Sequence, residues 1–340
     1  MKKIKWAVIG AGGIADRRTI PGILEDAGSE LAAVMDKNAE IAKAAGEKYG
    51  VPHFSDEEEM LKNVECDAVY IATPVFCHYD QAMLCLKYGK HVLCEKPLTL
   101  KTEEAKKLLE AFKASGKHFS VGYMMKFHNL HEKARKLVKE GAIGQVADVR
   151  AMFSCWYPDI PGAWRQTKAL GGGGSFMDLG VHCAELIEYV LGEKITEVKS
   201  FINTRTFKYE VEDSAVVIFK TESGILGHID CNFNVDLGTS PSRLELYGTA
   251  GHIICDGTLH QIEEGTLSYA YAPQEGYEAM QNNKDADKTA VYKGEGSNLY
   301  TKQIQSFCEH VRSGKPNYDF AETAVHIGEL CDMIYADAEK

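Results

Sequence analysis

The chain has 340 residues, a formal net charge of −11 and ten cysteines. That length exceeds what one small hydrophobic core organises, so two domains are expected. The negative charge disfavours nucleic-acid binding, since a polyanion is repelled. No apolar run is long enough to cross a bilayer, and the basic start leads into a short apolar run ending at Gly10 rather than into a signal sequence, so a cytoplasmic protein without membrane contact is expected.

The run Ile4–Ile9 is short, apolar and rich in β-branched residues, as a buried parallel strand requires. Gly10-Ala11-Gly12-Gly13-Ile14-Ala15 follows directly. The first glycine permits a tight turn, the second lets the backbone approach a pyrophosphate, and the small Ala15 lets the next helix pack on the strand. The helix N-terminus then presents N–H groups to phosphate. The next strand-like run, Leu31–Met35, ends at Asp36, about 20 residues past the turn, where a carboxylate accepts both ribose hydroxyls. This order predicts dinucleotide binding through Gly10, Gly12, Gly13, Ile14 and Asp36. Lys37 favours a 2′-phosphate, but the neighbouring Asp36 repels one, so NAD is expected, with NADP disfavoured.

Ala68–Ala72, Val92–Cys94 and 118–122 read as further strands, separated by helical patterns at 38–49, 77–88 and 102–115. Gly50, Gly89 and Gly116 stand where helices end, and Ser55-Asp56-Glu57-Glu58 resembles a helix start. This alternation predicts a doubly wound sheet. A helix at 128–139 follows, and then the texture changes. Val146–Cys155, Ile195–Arg205, Ser214–Thr221, Ile225–Phe233, Arg243–Tyr247 and His252–Cys255 read as antiparallel strands, with a hairpin at Glu222-Ser223-Gly224 and one helix at 176–190. Residues 272–297 read as a long polar loop, and 299–313 and 321–338 as helices. In Ser214–Phe219 both faces are apolar, and the face not covered by a helix predicts a partner subunit. Across it, His228, Asp230 and Asn232 form a polar face on the neighbouring run.

Cys66, Cys94, Cys155, Cys231 and Cys255 fall in or beside strand-like runs and Cys85, Cys183, Cys308 and Cys331 in helical ones, with no Cys-x-x-Cys pair. Reduced buried thiols and no metal site are expected.

Three clusters carry candidate chemistry. Glu95-Lys96-Pro97 lies at the carboxyl end of a strand, where open parallel sheets bind ligands; burial and a cationic nicotinamide there would pull Lys96 toward neutrality and fit it for proton transfer. The run Gly171–Gly174 leads into a helix carrying Asp178 and His182 on one face. The glycines allow close approach to a ligand, and the pair can handle a proton; equally, Ser175 and Asp178 have the spacing of a helix-capping pair. Ala72-Thr73-Pro74 with His78 forms a turn at another strand end, facing a cofactor or serving only as a turn. Trp164-Arg165 can touch phosphate or nicotinamide, or anchor a loop.

Together, Gly10-x-Gly12-x-x-Ala15, Glu95-Lys96-Pro97 and the glycine run leading to Asp178-x-Gly180-x-His182 resemble the glucose–fructose oxidoreductase/inositol dehydrogenase family, Gfo/Idh/MocA, over essentially the whole chain. The resemblance implies an α/β Rossmann domain, here 1–123, and an α+β C-terminal domain with a large, mostly antiparallel open sheet, here 124–340, whose last helix can pack back on the first. It implies pyridine-nucleotide-dependent oxidation of a secondary hydroxyl, or reduction of the ketone, on a sugar, glycoside or cyclitol, by a homodimer or homotetramer. Lys96, Asp178 and His182 match the catalytic set, with His182 favoured as base and Lys96 assisting, and the Lys96–Pro97 bond is expected to be cis. Thr73, Pro74, His78, Glu95, Lys96, Trp164 and Arg165 fall to the cofactor, and Tyr123, Lys126, Lys96, Asp178 and His182 to the polyol or sugar substrate. The family's Tyr-x-x-Arg-Phe is here Tyr123-Met124-Met125-Lys126-Phe127, which loses the planar fork of arginine. Two rival readings are a glycosyl 3-dehydrogenase feeding an elimination step and a non-catalytic nucleotide-sensing regulator. Substrate choice is expected to rest on 154–170, 232–240 and 272–297.

Overall fold

The computed structural model describes residues 2–273, 276–277, 279, 286 and 288–339. Its contacts divide the chain into two units, Met1–Met124 with Asn298–Glu329, and Met125–Ser297 with Leu330–Lys340.

In the first unit, strands β1 (Ile4–Ile9), β2 (Ser29–Met35), β3 (His53–Phe54), β4 (Ala68–Ile71), β5 (His91–Cys94) and β6 (Phe119–Val121) form a parallel sheet in the order β3-β2-β1-β4-β5-β6. β4 is buried along its length, which is why its sequence is apolar without alternation. The connecting helices are α1 (Ile20–Glu25), α2 (Ala39–Tyr49), α3 (Glu57–Asn63), α4 (His78–Lys87) and α5 (Thr102–Ser115). Asn38 caps α2 by accepting from the N–H groups of Glu40 and Ile41, and Asp56 caps α3 at 2.7 Å from Glu59 N. Each such cap is worth about 1 kcal/mol. Gly50 and Gly116 end α2 and α5 in the left-handed conformation that their sequence positions predict. The strand order reverses between β1 and β4, the place where ligands bind in doubly wound sheets.

In the second unit, α6 (Asn129–Lys139), β7 (Val146–Ser154), the short α7 (Lys168–Gly171) and α8 (Val181–Leu191) precede β8 (Ile195–Asn203), β9 (Ser214–Thr221), β10 (Leu226–Asn232), β11 (Arg243–Gly248), β12 (Gly251–Asp256), β13 (Thr266–Tyr271) and β14 (Lys288–Lys293). The sheet runs β14-β13-β12-β11-β7-β10-β9-β8; β7 and β10 pair in parallel and the other neighbours are antiparallel. β13 and β14 are strands the sequence reading did not anticipate. β14 falls inside the expected 272–297 loop, of which 274–275, 278, 280–285 and 287 lie outside the described residues. Burial alternates along β9: Ala215, Val217 and Phe219 face inward, whereas Val216 and Ile218 are 44% and 56% exposed. Phe201 lies opposite Val216, and both Phe201 and Leu226 are largely exposed, so the apolar face extends over three strands.

The last helices are α9 (Leu299–Ser313) and α10 (Asp319–Ala338). The first unit includes residues 298–329, so 124–340 is not one contiguous body. The cause is the apolar face of α9: Ile304, Phe307 and Cys308 enter the core around Trp6, Ile20 and Ile23, and the Trp6 and Phe307 rings lie 4.8 Å apart. Gly22 of α1 makes room for this helix, since a Cβ there would lie 2.9 Å from Thr301 N.

Two buried histidines, His118 and His131, and the half-buried His91 set the acid response. His118 accepts the Asn317 N–H at Nδ1, and its own N–H donates to His91 Nδ1. His131 sits between the Met125 carbonyl and the Thr258 hydroxyl at 2.8 Å each. Burial pushes His118 and His131 down to about 3 and His91 to about 4. Below the ordinary histidine value near 6.5 the unfolded chain therefore binds protons that the folded chain refuses, and stability falls as pH falls. The melting temperature is expected to drop between pH 7 and pH 4.5, with a shallower slope in His118→Gln; an unchanged slope in that variant would contradict the assignment.

Candidate active site

Gly10 has φ +87°, and a Cβ there would stand 2.8 Å from Ala72 C and Thr73 N. The N–H groups of Gly10 and Ala11 both donate to Met35 O, which ties the glycine turn to the end of β2. The next residue, Asp36, thereby comes to face the turn: its Oδ2 lies 3.8 Å from where a Cβ on Gly12 would sit. Gly13 has φ +54° and open space beyond it, so the turn is accessible at the position where a phosphate would approach. Ile14 begins the helical path that continues through a wide π-turn at Ala15–Thr19. These residues fit a dinucleotide, and Lys37 is exposed beside Asp36.

The second loop of this unit is held from within. His78 is buried, with Nε2 2.9 Å from Thr73 O and Nδ1 3.0 Å from Pro97 O. It latches the Thr73-Pro74 turn to the Lys96–Pro97 turn, whose peptide bond is cis. The Thr73 hydroxyl is likewise spent on Gln81 at 2.6 Å. Glu95 is buried too: it accepts from the Tyr70 hydroxyl at 2.6 Å and packs beneath Gly122. It supports the strand end instead of facing solvent, and leaves the half-buried Lys96 as the side chain presented there. Tyr123, expected at the substrate, is a core residue at 1% exposure.

In the second unit, Lys126, expected at the substrate, forms an ion pair with Glu185. Its Nζ lies 2.6 Å from Glu185 Oε1, with Glu185 fully buried on α8. Burial pushes the Glu185 carboxyl up and Lys126 pulls it back. His182, Glu185 and Tyr189 lie at positions that share one face of α8, and His182 and Glu185 are both buried. The i,i+3 spacing of His182 and Glu185 was the signal in the sequence that could have revealed it.

The glycine run serves the protein's own packing. A Cβ on Gly174 would lie 1.9 Å from Glu212 O, and one on Gly173 1.9 Å from the Tyr335 hydroxyl. The Glu212 carboxylate accepts the N–H groups of Gly174 and Phe176 and the Tyr335 hydroxyl, at 2.9–3.0 Å. That network launches the π-turn Phe176–Gly180, which carries Asp178. Ser175 has helical dihedrals and no side-chain cap bond, so the capping reading of Ser175 and Asp178 falls. Arg165 Nε lies 3.6 Å from Asp178 Oδ1, and the Arg165 guanidinium stacks on Trp164 at 4.3 Å. Burial pushes the Tyr157 hydroxyl up, with Arg165 and Asp178 both near enough to act on it electrostatically. Glu212 and Tyr157 had no sequence signal, because their partners lie far along the chain. Lys96 belongs to the first unit, and Asp178 and His182 to the second.

A buried ion pair broken on one side leaves an uncompensated charge. Glu185→Ala is expected to cost about 3–5 kcal/mol in a denaturant titration. The double change Glu185→Leu with Lys126→Met should recover most of it; failure to recover would show that Lys126 is not held by charge.

Residues 4–123 match the model of an oxidoreductase family with an NAD-binding Rossmann fold, and residues 131–254 match the GFO/IDH/MocA C-terminal domain. The D-glucoside 3-dehydrogenase of Escherichia coli is 30% identical over 99% of this chain and 95% of its own. The 1,5-anhydro-D-fructose reductase of Ensifer adhaerens is 28% identical over 80% of this chain and 81% of its own. The solved aldose-aldose oxidoreductase of Caulobacter crescentus, in complex with glycerol, superposes with a TM-score of 0.87 at 26% identity, covering 99% of this chain and 98% of that one. With a nucleotide-binding glycine turn, a lysine at a strand's carboxyl end and matches across both units, the chain belongs to the Gfo/Idh/MocA family of oxidoreductases.

Proposed function

We propose that the chain is an NAD-dependent dehydrogenase that interconverts a secondary hydroxyl and its ketone on a sugar, glycoside or cyclitol. The carrying observation is Asp36 facing the glycine turn, with Lys96 held at the carboxyl end of β5 by the Glu95 and His78 contacts. The bound nicotinamide would accept the hydride from the hydroxyl-bearing carbon. His182 takes the hydroxyl proton as that hydride leaves, with Lys96 assisting; the carbon loses two electrons and becomes a ketone. Asp178, oriented by Arg165, accepts a hydrogen bond from a substrate hydroxyl. The reading requires Lys96, Asp178 and His182 to serve one substrate. Asp36 supports NAD over NADP, because a carboxylate bonds ribose hydroxyls and repels a 2′-phosphate.

The similarity to a D-glucoside 3-dehydrogenase favours a glycoside among the substrate classes. The retention of Lys96, Asp178 and His182 weighs against a non-catalytic regulator. Absorbance at the reduced-nicotinamide band, followed over a panel of glycosides, aldoses and cyclitols with NAD and NADP, tests the proposal. Turnover with NAD on at least one polyol is expected, falling by about 10²-fold or more in Lys96→Ala. Unchanged turnover in that variant removes Lys96 from the chemistry, and a preference for NADP overturns the cofactor assignment.

The open face of the second sheet supports self-association into a homodimer or homotetramer, because Phe201, Val216, Ile218 and Leu226 together form an apolar patch in water. Light scattering is expected to give an oligomer for the unaltered chain and a monomer for Phe201→Glu with Ile218→Asp. An oligomer that survives both changes uses another surface.

A further inference from the structure

Trp156 is 53% exposed, yet its surroundings are built with care. It follows β7 and meets Phe207 edge-to-face at 5.2 Å; Phe207 in turn stacks with Tyr209 at 5.5 Å. An exposed aromatic on a loose loop would need no explanation. This loop is pinned: the Asp213 carboxylate, in a fully buried residue, accepts the backbone N–H groups of Arg205, Thr206 and Phe207. Those donors hold its carboxyl below the usual carboxylate range against the opposing pull of desolvation. The Asn234 amide ties Thr206, Asp213 and Ser214 together from the far side. The second loop is also fixed, since Gln166 accepts from Ile160 N and donates to Pro158 O. Holding three backbone donors on a buried carboxylate to present an apolar ring to water makes sense when that ring has a ligand.

The position of this shelf says which ligand. The Tyr209 hydroxyl donates to Tyr157 O at 3.2 Å, the Gln166 side chain donates to the next carbonyl, Pro158 O, at 2.6 Å, and the adjoining Arg165 lies 3.6 Å from Asp178. The aromatic surface is therefore continuous, within one unit, with the carboxylate assigned above to a substrate hydroxyl. Its rim carries hydroxyl and amide groups from Thr206 and Asn234. An apolar floor with neutral polar edges suits a ring that has a hydrocarbon face and polar substituents.

We propose that Trp156, Phe207 and Tyr209 form a second subsite that holds the non-reacting ring of a glycoside, the ring joined through the glycosidic oxygen to the sugar being oxidised. This inference rests on the glycoside reading of the active site. It extends that reading by giving the enzyme a preference for two-ring substrates over free sugars.

The test uses the full chain with NAD and compares methyl glucoside, phenyl glucoside and cellobiose. The unaltered enzyme is expected to show KM at least about tenfold lower for a two-ring glycoside than for methyl glucoside, as one aromatic anchor provides. Trp156→Ala and, separately, Phe207→Ser should reduce that ratio toward one through KM with kcat little altered. A phenyl preference over cellobiose identifies an aryl aglycone, and the reverse a second sugar. Equal losses on all three substrates, or no loss on any, overturn the subsite. Calorimetric titration of cellobiose and phenyl glucoside into the NADH-saturated protein gives a readout independent of turnover. Binding weakened by Trp156→Ala sustains the subsite even if no glycoside is oxidised, which would instead count against the proposed function. No binding to the unaltered protein overturns the subsite, and tight binding of a nucleoside diphosphate sugar at Trp156 with neither glycoside bound assigns it to a base.

Discussion

A Cβ at Gly10 would collide with the peptide joining Ala72 to Thr73, and much of the nucleotide half follows from that contact. Two adjacent parallel strands, β1 and β4, send their loops away from a common point, and the loops approach each other this closely only because one residue has no side chain. The same turn donates two N–H groups to Met35 O, and so fixes Asp36 opposite the glycines. A larger residue at Gly10 would disturb the Thr73-Pro74 turn, and with it His78 and the Lys96–Pro97 turn that His78 holds.

Buried carboxylates play a comparable part throughout. Glu95 receives the Tyr70 hydroxyl beneath the strand that presents Lys96, Glu212 gathers the start of the turn that carries Asp178, and Asp213 holds the loop of Phe207. Each is costly to bury and is compensated by several donors, so each fixes a backbone segment more firmly than apolar packing would. Arg165 and Asp178, by contrast, remain partly exposed.

Much of the architecture was legible in the chain. The apolar runs of β1, β2, β4 and β5, the helix start at Ser55–Glu58, and the left-handed glycines Gly50 and Gly116 are local devices, read correctly because they depend on neighbours within a few residues. The alternation along β9 was equally readable. His78, Tyr123 and Lys126 are residue types that suit a ligand, at positions near the strand ends, and only the folded structure shows their contacts with Pro97, the core and Glu185. β14 was missed because it is an edge strand of mixed polar sequence, and β13, beside it, carries no clean alternation of burial either.

The sequence by itself determined most of the strands and helices, the glycine turn with its acid, and the family, because each is written in short-range spacing. Tertiary structure alone decided which side chains are consumed by the fold and which remain for chemistry. That choice depends on partners such as Glu212 for Gly174, Asp213 for Phe207 and Phe307 for Trp6, which lie 38, 6 and 301 positions apart and meet only when the chain has folded.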